Sequence, residues 1–244
     1  MIEKQLLPSS LISLVILIFL FGSSCGLLGE DEEDELKELI PPEEELIPLK
    51  VGNYWVYEQW HMNPEWKDTV REEVLNVHNI IANDTEIRAY GSYRFHYKDR
   101  PREDALVWLR ANGPEGFLKL GGRVPTDSLY NLDEGLYFKY PASIGEEWEH
   151  TSVVYFPPSG TMSLGDSQTI TLVDTGKTVK TPAGTFENCY VYTHWGFSNS
   201  DYVSLEKHYF YVKPTVGIVG VDTYSEDNKD YLNGQLRLLE YHLK

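Results

Sequence analysis

Residues 47–244 predict an all-β fold, an antiparallel curved sheet or a barrel. Three observations carry that expectation. Runs rich in Tyr, Trp, Val, Ile and Thr recur along the segment, and these residues fit a pleated, half-buried surface. Turn-forming clusters separate the runs, among them Asn63-Pro64, Asn112-Gly113-Pro114, Gly121-Gly122, Pro157-Pro158 and Asn233-Gly234. No long apolar pattern of helical period follows residue 46.

The segment before that body has a different character. Residues 11–21 form an apolar run of eleven broken only by Ser13, behind a short start that carries Lys4. That length suits the core of an export signal and falls short of the ~20 residues that span a bilayer. Gly22, Ser23, Ser24 and Cys25 follow. The stretch resembles a bacterial lipoprotein signal, in which cleavage leaves the cysteine first and its sulfur carries a diacylglycerol. The resemblance implies a signal peptide over 1–24 and lipidation at Cys25. Its usual box has Leu three residues before the cysteine, where this chain has Gly22. A secretory signal with an incidental cysteine and an uncleaved anchor are the alternatives. Acyl chains on Cys25 would hold the protein at a membrane, each buried CH2 contributing about 0.8 kcal/mol.

Residues 25–46 read as an acidic tether. Ten carboxylates against Lys37 give residues 30–45 a charge of −9, out of −17 for the whole chain. Like charges repel and extend such a segment, and Pro41-Pro42 would stop any helical turn built on Leu36, Leu39 and Ile40. A balance this acidic argues against nucleic acid as a partner. With Cys25 acylated, Cys189 has no intramolecular partner, so the fold is expected to hold by core packing rather than by a disulfide.

Within the body, two stretches echo each other. Pro48, Val51, Gly52 and Trp55 recur as Pro141, Ile144, Gly145 and Trp148, a P-x-x-[VI]-G-x-x-W pattern repeated 93 residues on. The expectation is a Pro/Gly turn that feeds a strand, with the Trp plugging the core at its start. Either the domain consists of pseudo-repeated halves, 47–139 and 140–244, or two lead-in turns have converged. Strands are expected over 54–62, 69–80, 86–97, 105–111, 116–120, 148–156, 169–173, 185–195, 203–212, 216–224 and 235–243.

The clearest local motif is Thr181-Pro182-Ala183-Gly184-Thr185-Phe186. Pro182 presets the second position of a type I turn and Gly184 accepts positive φ, which predicts a three-residue hairpin loop with a bulge. Beyond it, alternation puts Cys189, Val191 and Thr193 on one face and Tyr190, Tyr192 and His194 on the other. This hairpin, the later strand with Tyr209-Phe210-Tyr211, and Val216-Gly217-Ile218-Val219 resemble a group of uncharacterised bacterial envelope lipoproteins. In that group a P-A-G-T-F hairpin precedes an aromatic strand and V-G-[IL]-[VI]. More distantly the chain is similar to the half-barrel fold of lipoprotein carriers and outer-membrane receptors. The resemblance implies a curved antiparallel sheet that holds acyl chains; it implies no activity.

Catalytic and metal signatures are weak. Gly165-Asp166-Ser167 lacks the D-x-x-H that a lipase and esterase class places near its end, and Gly196-Phe197-Ser198-Asn199-Ser200 misses the last glycine of a nucleophile elbow. The seven histidines form no H-x-H, H-x-x-x-H or H-E-x-x-H, with His194 and His208 the pair most able to meet across strands. Residues 222–230 are acidic without the glycine and terminal Glu of a calcium loop, and read as a solvated hairpin end. No cofactor is called for.

The aromatic load carries the functional expectation. Trp55 with Tyr57, Tyr190 with Tyr192, and Tyr209 with Tyr211 are pairs two residues apart, so each pair shares a face. Such rings either line a cavity for a hydrophobic or amphipathic ligand or fill the core of a domain poor in Leu and Ile. The resulting expectation is a non-enzymatic, membrane-anchored lipoprotein of the cell envelope that binds or carries a hydrophobic ligand or scaffolds envelope components. The alternative is a surface module that binds glycan or protein through exposed aromatics. Cys25→Ser is expected to move the protein from the membrane pellet to the soluble fraction; a variant that stays membrane-bound after a high-salt wash would remove the lipid anchor from this account.

Overall fold

The computed structural model describes residues 45–62, 65–82, 85–96, 106–123, 130–133, 135–156, 161–197, 206–225 and 232–244. The signal segment, Cys25 and the tether up to residue 44 lie outside the described residues. The folded body begins slightly earlier than its composition suggests: Leu46 is 2% exposed and packs in the same core as Ile47 and Leu49.

The described residues form strands and no helix. In chain order they are β1 (Tyr54–Met62), β2 (Glu65–Ala82), β3 (Thr85–His96), β4 (Leu106–Gly113), β5 (Gly116–Arg123), β6 (Tyr130–Asp133), β7 (Gly135–Lys139), β8 (Glu147–Phe156), β9 (Thr161–Thr181), β10 (Gly184–Phe197), β11 (Glu206–Lys213), β12 (Gly217–Ser225) and β13 (Leu232–His242). All pairings are antiparallel, in the order β4-β3-β2-β1-β13-β12-β11-β10-β9-β8-β6-β5, and β4 pairs with β5 to join the two ends. The sheet therefore closes on itself, where the more distant resemblance implied a half-barrel. Closure removes the sheet edge that a half-barrel must protect.

β6 and β7 trace one path, so the ring has twelve staves. Both pair with β5, β6 through Gly122 and Arg123 and β7 through residues 116–119. Only β6 pairs with β8. At Asp133 the path leaves β8, and β7 continues in the ladder with β5 alone. This departure produces the packed floor. Phe138 is fully buried, with its ring 4.7 Å from Tyr192, 5.3 Å from Phe210 and 6.0 Å from Phe117. The Tyr192 hydroxyl donates to the Lys139 carbonyl at 2.9 Å, which satisfies a backbone acceptor taken out of the ladder. Gly116 (φ +134°) makes this close approach of β5 and β7 possible, because a Cβ there would stand 2.2 Å from the Phe138 carbonyl oxygen.

The two lead-in motifs form matching turns. Asn53 N–H donates to the Lys50 carbonyl (2.9 Å) and Glu146 N–H to that of Ser143 (3.0 Å), with Gly52 and Gly145 at φ +91° and +86°. Positive φ at the third turn residue is the type II requirement that glycine meets. Each turn then docks on a neighbouring strand: Gly52 N–H on the Val74 carbonyl and Val74 N–H on that of Asn53, Gly145 N–H on the Leu172 carbonyl and Leu172 N–H on that of Glu146. Each is followed by six staves, β1 to β6/β7 and β8 to β13. The Trp residues differ. Trp55 is buried and donates to the Val216 carbonyl at 2.6 Å, while Trp148 is half-buried against the core with no partner for its Nε1 among the described residues.

The 181–186 motif makes a tighter turn than expected. Pro182 and Ala183 alone form the loop, Gly184 (φ +144°) pairs with Thr181, and the bulge falls further on, at Asn188 (φ +55°). Asn tolerates the left-handed region better than most residues. The hairpin folds against the barrel end, where Ala183 N–H donates to the Leu238 carbonyl at 3.1 Å and Val179 and Phe186 are buried. Further bulges in β1–β13, β2–β3, β8–β9 and β11–β12 add the local twist that lets a sheet bend into a ring.

Outward positions carry charge: Glu58, Lys67, Glu147, Glu149, Lys177, Lys180 and Glu240 are all exposed. A barrel seated in hydrocarbon would need an apolar outer band, and charges at the described outward positions oppose that.

Phe138→Ala removes the ring on which the floor is built and is expected to cost about 3–5 kcal/mol. Urea unfolding checks it, and a loss under about 1 kcal/mol would mean that Phe138 is not the packed floor described.

Candidate functional site

Core packing divides the barrel lengthwise. Below, Trp55, Phe138, Tyr192, Val212 and Leu238 fill the interior. Above the floor lies a cavity of about 330 Å³, at the low end of the size of small-molecule sites. A second hollow of about 520 Å³ lies between the lead-in residues 45–53, Val77, Arg88 and Tyr90 of β2–β3, and the C-terminal Leu243 and Lys244. It has few rings and no packed floor.

Two walls of the upper cavity contrast. Register puts Glu72, Arg94, Trp108, Arg110 and Lys119 on the inward face of β2 to β5. Glu72 accepts from the Ser92 hydroxyl at 3.0 Å and pairs closely with the Arg110 guanidinium. Arg94 donates to the amide oxygen of Gln59 at 2.7 Å, and among the described residues no carboxylate pairs with it. The Lys119 ammonium stands 4.8 Å from the Trp108 ring centre and 5.1 Å from that of Tyr137, within cation–π range. The facing wall, from β11 to β13, is mostly apolar: Phe210, Ile218, Val221 and Leu236, with His208 and Thr223. β4 and β12 are five steps apart around twelve staves, so these walls lie nearly opposite.

Imidazoles gather beneath the apolar wall. His194 is 6% exposed, its ring 5.6 Å from His208, and Tyr137 meets His150 and His194 edge-on at 5.2 and 5.7 Å. The expected cross-strand pair, His194 and His208, does meet. Burial, helped by nearby His208, Lys119 and His150, pushes His194 down to about 3. Burial also lowers His208, with Glu206 opposing. A neutral, buried His194 has no hydrogen-bond partner at either ring nitrogen among the described residues. No group of three His, Cys, Asp or Glu among the described residues is placed to hold a metal ion.

The six aromatics singled out from the sequence separate into three places. Tyr57 lines the cavity, and its hydroxyl donates to the Ile218 carbonyl at 3.1 Å. Trp55, Tyr190 and Tyr192 belong to the packed lower half. Tyr209 and Tyr211 take the opposite face of the sheet. Directly paired residues share a face, and Tyr209 and Tyr211 pair with Thr193 and Val191, whereas Phe210 pairs with Tyr192. Phe210 is therefore the inward ring of its strand. Tyr211 donates to Asp222 at 2.8 Å, and Tyr209 lies edge-on to Tyr224 at 5.6 Å. Asp222 is 8% exposed and pairs with the half-buried Arg237, where the sequence suggested the start of a solvated hairpin end. Residues 226–230 lie outside the described residues.

Other candidates settle more simply. Cys189 is fully buried, its Sγ 3.4 Å from the Phe186 carbonyl, and burial pushes its thiol up, so it behaves as a small core residue. Gly165, Asp166 and Ser167 sit within β9 rather than at a strand-to-helix turn. Sequence reasoning missed Glu72, Arg94, Trp108, Arg110, Lys119 and Tyr137. The available signal was period-two placement of cations beside small and aromatic residues, as in Tyr90, Ser92 and Arg94 or Trp108 and Arg110.

The fold has a solved counterpart. A crystal structure of a "putative exported protein with YmcC-like fold" from Bacteroides fragilis superposes with a TM-score of 0.51 at 13% identity, covering 81% of this chain and 98% of that one. A "putative lipoprotein" from Parabacteroides distasonis gives 0.44 at 14% identity, over 82% and 99%. At this identity the likeness is one of fold. No protein-family model matches the chain, and no curated protein matches it significantly.

The buried imidazole gives a pH dependence. An unfolded histidine titrates near 6.5, and His194 folded does so near about 3. Between those values the unfolded chain binds more protons, so stability is intact above about pH 6.5 and falls as pH falls, by at most ~1.4 kcal/mol per unit for this residue. His194→Phe, which keeps a ring against Phe210, is expected to flatten that slope in urea unfolding at pH 7 and 5. An unchanged slope would exclude His194 as its source.

Proposed function

We propose that this protein is an envelope lipoprotein, anchored through Cys25, whose barrel holds a hydrophobic or amphipathic small molecule and does no chemistry on it. One observation carries the reading: the barrel is solid below Phe138 and hollow above it, with rings and a few convergent polar groups around the hollow. A domain that needed the barrel only as a scaffold would be expected to fill it. The export signal read from residues 11–25 agrees with the name of the B. fragilis protein that shares the fold.

A binding role is favoured over catalysis by the site's chemistry. The nearest approach to a nucleophile–base line is Thr223 Oγ1 at 3.0 Å from His208 Nδ1, with Glu206 at 3.8 Å from Nε2. His208 and Thr223 are simply cross-strand partners in the β11–β12 ladder. That ladder occupies the backbone N–H groups which an oxyanion would need. A lowered His208 is also a weak base. A second reading, an interaction module for glycan or protein, is favoured by the outward Tyr209–Tyr224 pair beside Lys207.

Native mass spectrometry of the full chain purified from its own host separates the two. A small molecule that co-purifies and is lost on denaturation supports the carrier. Leu236→Trp, which places bulk in the hollow, is expected to abolish that adduct while the protein still folds. A protein that is always empty, with or without Leu236→Trp, supports the interaction module.

A further inference from the structure

We propose that the guest is an anionic amphiphile, its carboxylate or phosphate held at Arg94 and its apolar part laid against Phe210, Val221 and Leu236. The inference rests on the ligand-binding reading and adds the ligand's charge.

The first observation is the charge balance inside a strongly acidic protein. The chain carries −17, yet among the described residues lining the cavity Arg94 and Arg110 face one carboxylate, Glu72. Glu72 is committed to Arg110 and Ser92. Arg94 points its guanidinium to neutral Gln59, which satisfies one donor, and it makes no ion pair with a described carboxylate, its cross-strand neighbour Glu72 being closed on Arg110. A guanidinium has five donors in a rigid fork matched to carboxylate and phosphate oxygens. Arg110 adds a buried Nε with no partner among the described residues. Burying like charges together is costly unless something compensates them, and a ligand anion would do so.

The second observation is segregation. Cations lie on β3 to β5, and the aliphatic groups on β12 and β13 with Phe210 on β11. Arg94 on β3 is three, four and five staves from β13, β12 and β11. It reaches Gln59, the cross-strand neighbour of Leu236, so charged and apolar surface adjoin there. A wholly apolar guest would desolvate the arginines without replacing their water. A wholly polar anion would leave Val221 and Leu236 facing water. A molecule with one charged end satisfies both walls. Trp108 beside Lys119, and Trp60 on β1, also line this space, so binding should be visible in tryptophan emission.

The test uses the full acylated chain in zwitterionic phosphatidylcholine nanodiscs, with empty nanodiscs subtracting partition into lipid. Decanoate, decyl phosphate and decanol share one chain length and differ in head. Calorimetry and tryptophan emission are expected to show at least one of the two anions binding about tenfold or more tighter than decanol, the range of one charge-assisted hydrogen bond. Decanoate and decyl phosphate together identify which head the site takes. Arg94→Gln is expected to remove that advantage and leave decanol unchanged, while Arg94→Lys keeps part of it; near-ultraviolet circular dichroism confirms that both fold. Equal affinity for all three probes would overturn the anionic head and leave the ligand reading standing. No binding of any probe by folded protein would overturn both.

Discussion

The structure depends on one departure from regular pairing, the point at Asp133 where the chain stops following β8 and runs on against β5 alone. A twelve-stave ring whose walls simply continued would enclose a lumen too wide for its own side chains to fill. Paired with β5 alone, β7 aims the rings of Phe138 and Tyr137 inward, where they fill the lower half and leave the upper half open. Phe138 meets Tyr192, Phe210 and Phe117, and the lead-in residues Leu46, Ile47 and Leu49 join the same cluster from the end. Burial of one such ring is worth about 1.5–3 kcal/mol, and the contact is shared by three strands far apart in sequence. The backbone needed two concessions: Gly116, where a Cβ would strike the Phe138 carbonyl, and Gly135, where a Cβ would crowd the His150 ring at 3.3 Å.

That floor fixes what the cavity can be. Tyr137, the residue before Phe138, turns its ring to His150, His194 and Phe210 and so forms the boundary between the solid and hollow halves. His194, below this boundary, is held neutral by burial. The cations above it sit where a guest can reach them. A floor made of rings with a polar boundary gives a guest one apolar side and one charged side, a selectivity that a uniformly greasy lumen would lack.

How legible this was in the sequence depended on whether a residue obeyed alternation. The strand runs, the lead-in turns and the hairpin at Pro182 could be read because turn residues and period-two patterning are local signals. β6 and β7 could not, because Asp133-Glu134-Gly135 reads as a loop. Tyr137 and Phe138 also both turn rings to the interior although they are neighbours, because Tyr137 is the extra residue of a β-bulge between the Phe117–Phe138 and Leu118–Leu136 pairs. The Tyr209–Tyr211 pair was conspicuous in the sequence yet faces outward, since the ring between them, Phe210, is the inward one. Arg94 and Arg110 looked like surface residues, for cations are almost always exposed. Only the register of β2, β3 and β4 brings Glu72 beside Arg110 and reveals an interior that tolerates charge.

The contrast between the two walls follows from how the ring is assembled. Each lead-in turn starts a run of six staves, and the runs join head to tail, β1 on β13 and β8 on β6. Counting from each turn, β4 and β5 correspond to β11 and β12. The cationic wall and the apolar wall therefore overlap at this matching pair of strands, while Arg94 on β3 and Leu236 on β13 lie outside the match. One run places Trp108, Arg110 and Lys119 there, and the other His208, Phe210 and Val221. A ring of two like halves presents its corresponding strands to each other across the lumen, so a difference between the halves becomes a difference between facing walls. Polarity across the cavity needs no special strand or loop. It needs only that the inward positions of two matching strand pairs carry different side chains, while the turns and docking bonds that close the ring stay alike.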